Sequence, residues 1–165
     1  MEQDNPFYYT KSEYDAKQIC NRMSTEEICK NLEKLYYDQS DNADVVRSSC
    51  LHVLYDRIDR MTNDGLVVFC KKMYIEKNAP AVNLFERKLR ERLEKMSIDE
   101  IAYFFEKTSI NEHIYYLFSQ ELSNRAESLY KDELNYIIKN MQNRGNVNTL
   151  KIFERALRKR CELYG

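Results

Sequence analysis

Two clusters of cationic side chains have the types and spacing to do chemistry. Arg87, Lys88, Arg90 and Arg92 fall within one six-residue stretch, and Lys151, Arg155, Arg158, Lys159 and Arg160 within one ten-residue stretch. A guanidinium presents a planar fork that matches two phosphate or carboxylate oxygens at once, and an ammonium acts as a compact point charge. Each cluster is therefore a candidate contact for RNA phosphates or for an acidic protein face. The plainer reading of each is a solvated helix face.

Arginine also recurs at wide spacing: Arg57, Arg92, Arg125 and Arg160 each stand one place before a residue of an apolar stripe. Their stems can cover a neighbouring helix while the heads pair with an acid. Asp64, Asp99 and Asp132 follow the first three of these arginines by seven residues, so a repeated inter-helix ion pair is the favoured reading. The functional alternative is a ladder of guanidinium groups along one face. Arg160 has no acid at that place, which marks it as the column member free for a partner.

Little else in the chain suggests reaction chemistry. The two histidines, His52 and His113, have no cysteine or second histidine at metal-ligand spacing. No phosphate loop, dinucleotide turn or nucleophile elbow occurs, and three glycines in all leave little material for one. Carboxylates are plentiful but spread, so the expectation is a protein that is not an enzyme and needs no cofactor. Cys20, Cys29, Cys50, Cys70 and Cys161 are odd in number and include no C-x-x-C pair. They read as buried thiols in a reducing intracellular compartment. Tyr36, Tyr37, Tyr103, Tyr115 and Tyr116 have the chemistry to stack bases, whereas Phe104, Phe105 and Phe118 read as core. Tyr37, Tyr74, Tyr103 and Tyr136 are expected on outer helix faces.

The elements that must position these residues follow from an internal echo. A pattern starting at Met23, Met61, Met96 and Leu129 returns at spacings of 38, 35 and 33 residues. An acid follows three places on (Glu26, Asp64, Asp99, Asp132), then an aliphatic (Ile28, Leu66, Ile101, Leu134), then a further apolar residue (Leu32, Cys70, Phe105, Ile138). Periods of this size mark stacked helical hairpins. Ser24 with Glu27 and Ser97 with Glu100 predict capping boxes at the first helix of two repeats, and Thr62 a simpler cap. Polar breaks are expected at 38–44, 78–80, 109–112 and 143–146, with Pro80 and Gly145 marking turns. The second helices carry Cys50, Leu54 and Ile58; Phe85, Leu89 and Leu93; Phe118, Leu122 and Ala126; and Phe153, Leu157 and Cys161. A spacing of four puts each trio on one face.

The expectation is an all-α, right-handed α-solenoid of four helical hairpins of ~35 residues, behind an N-terminal capping helix. It forms a single repeat domain over 1–165: a loose N-terminus at 1–10 (Phe7, Tyr8 and Tyr9 can dock), a cap at 11–22, and repeats at 23–60, 61–95, 96–128 and 129–165. The repeats alternate in net charge, −3, +3, −4 and +4, although the whole chain carries −1. Alternation favours one stacking order, and near-neutrality argues against a uniformly basic nucleic-acid binder. No apolar run approaches a membrane span, and the first nine residues lack both a secretion signal and the arginines of an import presequence.

The Met-Ser-x-Asp-Glu-Ile opening at Met96–Ile101 and the Leu-x-x-Arg-Leu ending at Leu89–Leu93 resemble the heptatricopeptide and FAST-kinase-type repeats of organellar RNA-maturation proteins. The resemblance spans 23–163 and implies a place in mitochondrial or plastid RNA handling, or in an organellar ribosome or other large assembly. Members of that group usually carry more repeats, a clearer basic surface and often a further C-terminal domain, whereas four repeats and a net charge of −1 are read here. The first expected function is thus a non-catalytic subunit of a ribonucleoprotein assembly, mitochondrial on the resemblance and otherwise cytoplasmic, that binds RNA, neighbouring proteins or both. The second is a protein-only adaptor that holds a partner helix or peptide, including the case of a viral or parasite protein that captures a host factor. Neither reading involves a membrane or a small-molecule substrate.

Overall fold

A computed structural model of the chain describes residues 7, 12–110 and 112–164. Among these residues the chain is all-helical, with nine helices and no strand. It forms two compact units, Met1–Lys88 and Leu89–Gly165.

The first unit contains α1 (Glu13–Arg22), α2 (Thr25–Leu35), α3 (Asp41–Arg60), α4 (Asn63–Ile75) and most of α5 (Ala79–Leu93). Hydroxyl side chains begin four of these helices. Ser12, Ser24, Ser40 and Thr62 each accept from a backbone N–H three residues on, which satisfies a donor that the helix itself leaves orphaned. At Ser24 the expected capping box is complete: Glu27 accepts from the Ser24 N–H at 2.6 Å. α1 and α2 both pack on α3. Ala16 and Cys20 of α1 and Cys50, Leu54 and Ile58 of α3 are fully buried. The Phe69 and Phe85 rings stack at 5.6 Å and join α4 to α5. Phe7 is only 2% exposed, and its carbonyl accepts from the Asn42 amide. It is thus docked, whereas the rest of the segment expected to be loose lies outside the described residues.

The second unit holds the end of α5, then α6 (Ile98–Glu106), α7 (His113–Ser128), α8 (Lys131–Arg144) and α9 (Val147–Tyr164). The Ser97–Glu100 capping box forms as expected. At α8 the Glu133 carboxylate accepts from the Tyr130 N–H at 2.8 Å, a half-box without a hydroxyl. α6 packs on α7, and α9 packs on α6, α7 and α8. Phe104 stacks on Phe118 at 6.0 Å, while Phe105 meets Tyr115 at 4.7 Å. All three phenylalanines are buried, as their helical spacing predicted.

The sequence expectations need correction at several edges. The break at 38–44 is shorter than expected, because Ser40 caps α3 and the helix starts at Asp41. Pro80 lies inside the first turn of α5 instead of in the turn before it. Its missing N–H costs nothing there, since the helix leaves that donor unused. The apolar column also opens at its last station. Phe153 is fully buried, but Leu157 is half-buried and Cys161 exposed. Among the described residues no further helix pair covers that turn.

Candidate functional site

α9 carries the largest group of candidate residues, and its placement explains which of them face solvent. The helix starts where Gly145, at φ 70°, ends α8 in the left-handed conformation. The Glu106 carboxylate, at the end of α6, accepts from the Thr149 N–H at 2.7 Å and from the Asn148 amide groups. An acid from a neighbouring helix thus caps α9 and sits at the positive end of its dipole. Thr149, Phe153 and Ala156 are buried, so the face they define points into the unit. Lys151, Arg155 and Arg158 follow one another at steps of four and three on a different face, and all three are exposed. Such steps place side chains in one stripe, here spanning about 10 Å of helix axis. Among the described residues none of the three has a hydrogen bond or ion pair within the protein. Glu162, exposed a turn beyond Arg158, ends the positive run.

The other two members of this cluster are engaged. Lys159 pairs with the Glu127 carboxylate at 3.1 Å, and Arg160 donates to the Glu127 carbonyl at 2.6 Å. Arg160, expected to be the free member of its column, is therefore a tie to the end of α7.

The cluster on α5 is engaged throughout. The Arg87 guanidinium lies over the Tyr55 ring, 5.2 Å from its centre, and donates to the Tyr55 hydroxyl. Lys88 pairs with Asp59 at 2.8 Å. Arg90 and half-buried Arg92 also have partners. Arg90 lines a cleft of ≈ 180 Å³ in the second unit together with Leu93, Glu94, Leu117, Gln120 and Asn124.

The arginine column corrects a second expectation. Arg57 donates to the Cys20 and Asn21 carbonyls, at 3.3 and 3.1 Å, in the last turn of α1. Arg125 donates to the Leu93 and Met96 carbonyls at the end of α5 and to the Glu121 carboxylate. Arg47, which the repeat pattern did not single out, does the same at the end of α2, where the Leu35 and Asp38 carbonyls each accept at 2.6 Å. The acceptors are thus carbonyls at helix C-termini, of which Cys20, Leu35 and Leu93 also accept a backbone N–H, and the dipole there favours a cation. Asp64 and Asp132, the expected partners of Arg57 and Arg125, are exposed in the first turns of α4 and α8. Asp99 pairs instead with Arg144, at 2.9 Å.

Of the remaining candidates, His52 is exposed, with Nε2 3.9 Å from the Asp56 carboxylate. Tyr37, Tyr74, Tyr103 and Tyr136 are all exposed, Tyr37 at 85%, as expected. Two features escaped the sequence reading. Val68 and Ile75, seven residues apart on α4, are 60% and 78% exposed. The second is Asn78, a fully buried amide whose Nδ2 donates to the Cys29 carbonyl at 2.8 Å while its Oδ1 accepts from the Ala81 N–H. Val68 and Ile75 were legible as apolar positions off the α4 core register. Asn78 showed only as a turn residue.

Among the described residues no helix is long and apolar enough to cross a membrane. Among them, too, no group of three His, Cys, Asp or Glu side chains is arranged to hold a metal ion. No family model, curated protein or solved structure matches the chain.

Proposed function

We propose that this chain is a non-catalytic helical-repeat binding module. Its hairpins stack as a right-handed solenoid behind α1, and its α9 stripe grips the phosphate backbone of RNA within a ribonucleoprotein assembly. One observation carries the reading: Lys151, Arg155 and Arg158 share an exposed stripe and have no partner among the described residues, whereas the other candidate cations are engaged. Three unpaired cations on a rigid helix suit a polyanion, because each phosphate contact releases a counterion. The solenoid rests on the sequence repeat and on the burial of Leu54, Leu89 and Leu122. Placement in a mitochondrial ribosome or RNA-processing complex rests on the repeat resemblance alone.

The test is retention on immobilised single-stranded RNA. Three contacts predict that affinity falls about a hundredfold for a tenfold rise in salt. The Lys151→Glu, Arg155→Glu, Arg158→Glu variant is expected to lose retention while keeping its helical circular dichroism. Retention that survives these changes overturns the RNA reading.

A second reading is a protein-only adaptor, favoured by the exposed Val68 and Ile75 on α4. Apolar side chains on one surface line suit a partner helix or peptide. A stoichiometric partner retained after RNase treatment and lost on Val68→Asp with Ile75→Asp supports it.

A further inference from the structure

Cys20 in the last turn of α1 and Cys50 in the middle of α3 bring their sulfurs to 3.2 Å of one another, and both side chains are fully buried. The other buried thiols, Cys29 and Cys70, have no such neighbour among the described residues, and Cys161 is exposed. A disulfide needs its sulfurs about 2.05 Å apart, so the pair stands about 1.2 Å from bonding distance. We propose that Cys20 and Cys50 are a peroxide-responsive thiol pair that closes to a disulfide and locks α1 onto α3.

The surroundings give the two sulfurs different roles. The hydrogen bond with Cys50 holds the Cys20 thiol below its ordinary range, and the charge of Arg57, whose guanidinium donates to the Cys20 carbonyl, adds to this. Cys50 is pushed far upward by the same contact and by burial, so it keeps its proton. Burial with the nearby Glu86 charge pushes Cys70 up to about 12, and burial with the Glu26 and Glu76 charges does the same to Cys29. Cys20 is therefore the nucleophile, since the thiolate is the reactive form. Its sulfur attacks one oxygen of hydrogen peroxide, the O–O bond breaks, and hydroxide leaves with a Cys20 sulfenic acid behind. The Cys50 sulfur then attacks the Cys20 sulfur. The new S–S bond forms, the S–O bond breaks, and the departing hydroxide takes the Cys50 proton as water. In sum two thiols and one peroxide give one disulfide and two waters.

Peroxide reaches the pair when α1 opens. This helix has ten residues, and Ser49 and Arg57 of α3 hydrogen-bond its backbone. Local opening of one short helix takes less free energy than global unfolding. The disulfide then closes a loop between residues 20 and 50 and removes that opening.

The experiment uses the full chain in a Cys161→Ser background, which removes the exposed thiol. It is treated with hydrogen peroxide, alkylated, digested without reductant and mapped by mass spectrometry. The expected product is one cross-linked peptide pair joining Cys20 to Cys50, lighter by two hydrogens, reversed by dithiothreitol and accompanied by a higher melting temperature. Cys50→Ser is expected to leave a Cys20 sulfenic acid that dimedone traps, and Cys20→Ser to leave Cys50 unmodified. The cross-link map of the otherwise unaltered pair decides the matter even if either variant folds poorly. Cross-links through Cys29 or Cys70, or native chain that stays fully reduced while urea-unfolded chain oxidises, overturn the proposal.

Discussion

The Arg57 guanidinium on α3 donates to the Asn21 carbonyl at 3.1 Å, in the last turn of α1. The donor is a side chain and the acceptor a backbone group that the helix cannot satisfy for itself. Arg125 and Arg160 repeat the relationship on the ends of α5 and α7. One residue type at one register thus terminates three helices, and it does so through the charge and breadth of the guanidinium fork.

This assignment separates two substitutions that the ion-pair reading treats alike. Arg125→Ala is expected to cost about 1.5–3 kcal/mol, because it removes charge-assisted hydrogen bonds to part-buried acceptors. Arg125→Lys recovers part of that loss, since one ammonium cannot bridge the same set of acceptors. Asp132→Ala is expected to cost at most about 1 kcal/mol, the value of an exposed acid at a helix start. Urea unfolding of the three variants measures this. Equal losses for Arg125→Ala and Asp132→Ala contradict the carbonyl assignment.

The contrast shows where the sequence was readable. Helix starts were, because Ser24, Thr62 and Ser97 announce them by residue type and by the glutamates that follow two of them. The buried faces were readable too, because Leu54, Leu89 and Leu122 each stand four residues from an apolar residue on either side and are all fully buried. The partner of Arg57 was not, because every residue owns a carbonyl and no letter marks the few left orphaned at a helix end. Asp64 stood out only because it is a letter. The free members of the α9 cluster were hidden for a related reason. Lys151 and Lys159 are the same residue type, and only the position of Glu127 opposite Lys159 tells them apart. The nearness of Cys20 to Cys50 likewise depends on how α1 lies against α3.

The turn between α4 and α5 offers a stabilising change. Lys77 sits at φ 58°, and the Asn78 N–H bonds back to the Met73 carbonyl at 3.0 Å. The Asn146 N–H bonds back to Met141 in the same way after Gly145. Both turns thus end a helix in the same manner, but only one uses glycine, which pays no Cβ penalty in this region. Lys77→Gly is expected to gain about 1 kcal/mol, and Gly145→Ala to lose about 1–2 kcal/mol. Thermal melts of the two variants should shift in opposite directions.

The ion pair between Lys72 on α4 and Glu26 on α2, at 3.0 Å, predicts a pH signature. The hydrogen bond from Lys72 holds the Glu26 carboxyl below its ordinary range. A depressed folded-state value means that the contribution is full above the unfolded carboxylate range and fades as pH falls through the folded value. Both side chains are more than a third exposed, so solvent screening keeps the gain small. Glu26→Gln should therefore be less stable than the parent at pH 7, with the difference closing on acidification toward pH 3. Denaturant midpoints across that range measure it, and a difference independent of pH counts against the pair.

Asn78 ties α2 to the first turn of α5 through one buried amide. The amide donates to the Cys29 carbonyl and accepts from the Ala81 N–H. Asn78→Ala removes the cap, strands the Ala81 N–H away from water and takes the side-chain donor from the Cys29 carbonyl, an expected cost of about 2–4 kcal/mol. Asn78→Asp keeps an acceptor for Ala81 but offers Cys29 an oxygen in place of a donor, and it buries a charge among apolar side chains. It should be at least as damaging at pH 7, and should recover as the carboxyl is protonated. Comparing both variants by urea unfolding at pH 7 and pH 4 separates the cap from the donor. If Asn78→Asp matches the parent at pH 7, the Cys29 bond contributes nothing and the cap alone accounts for the residue.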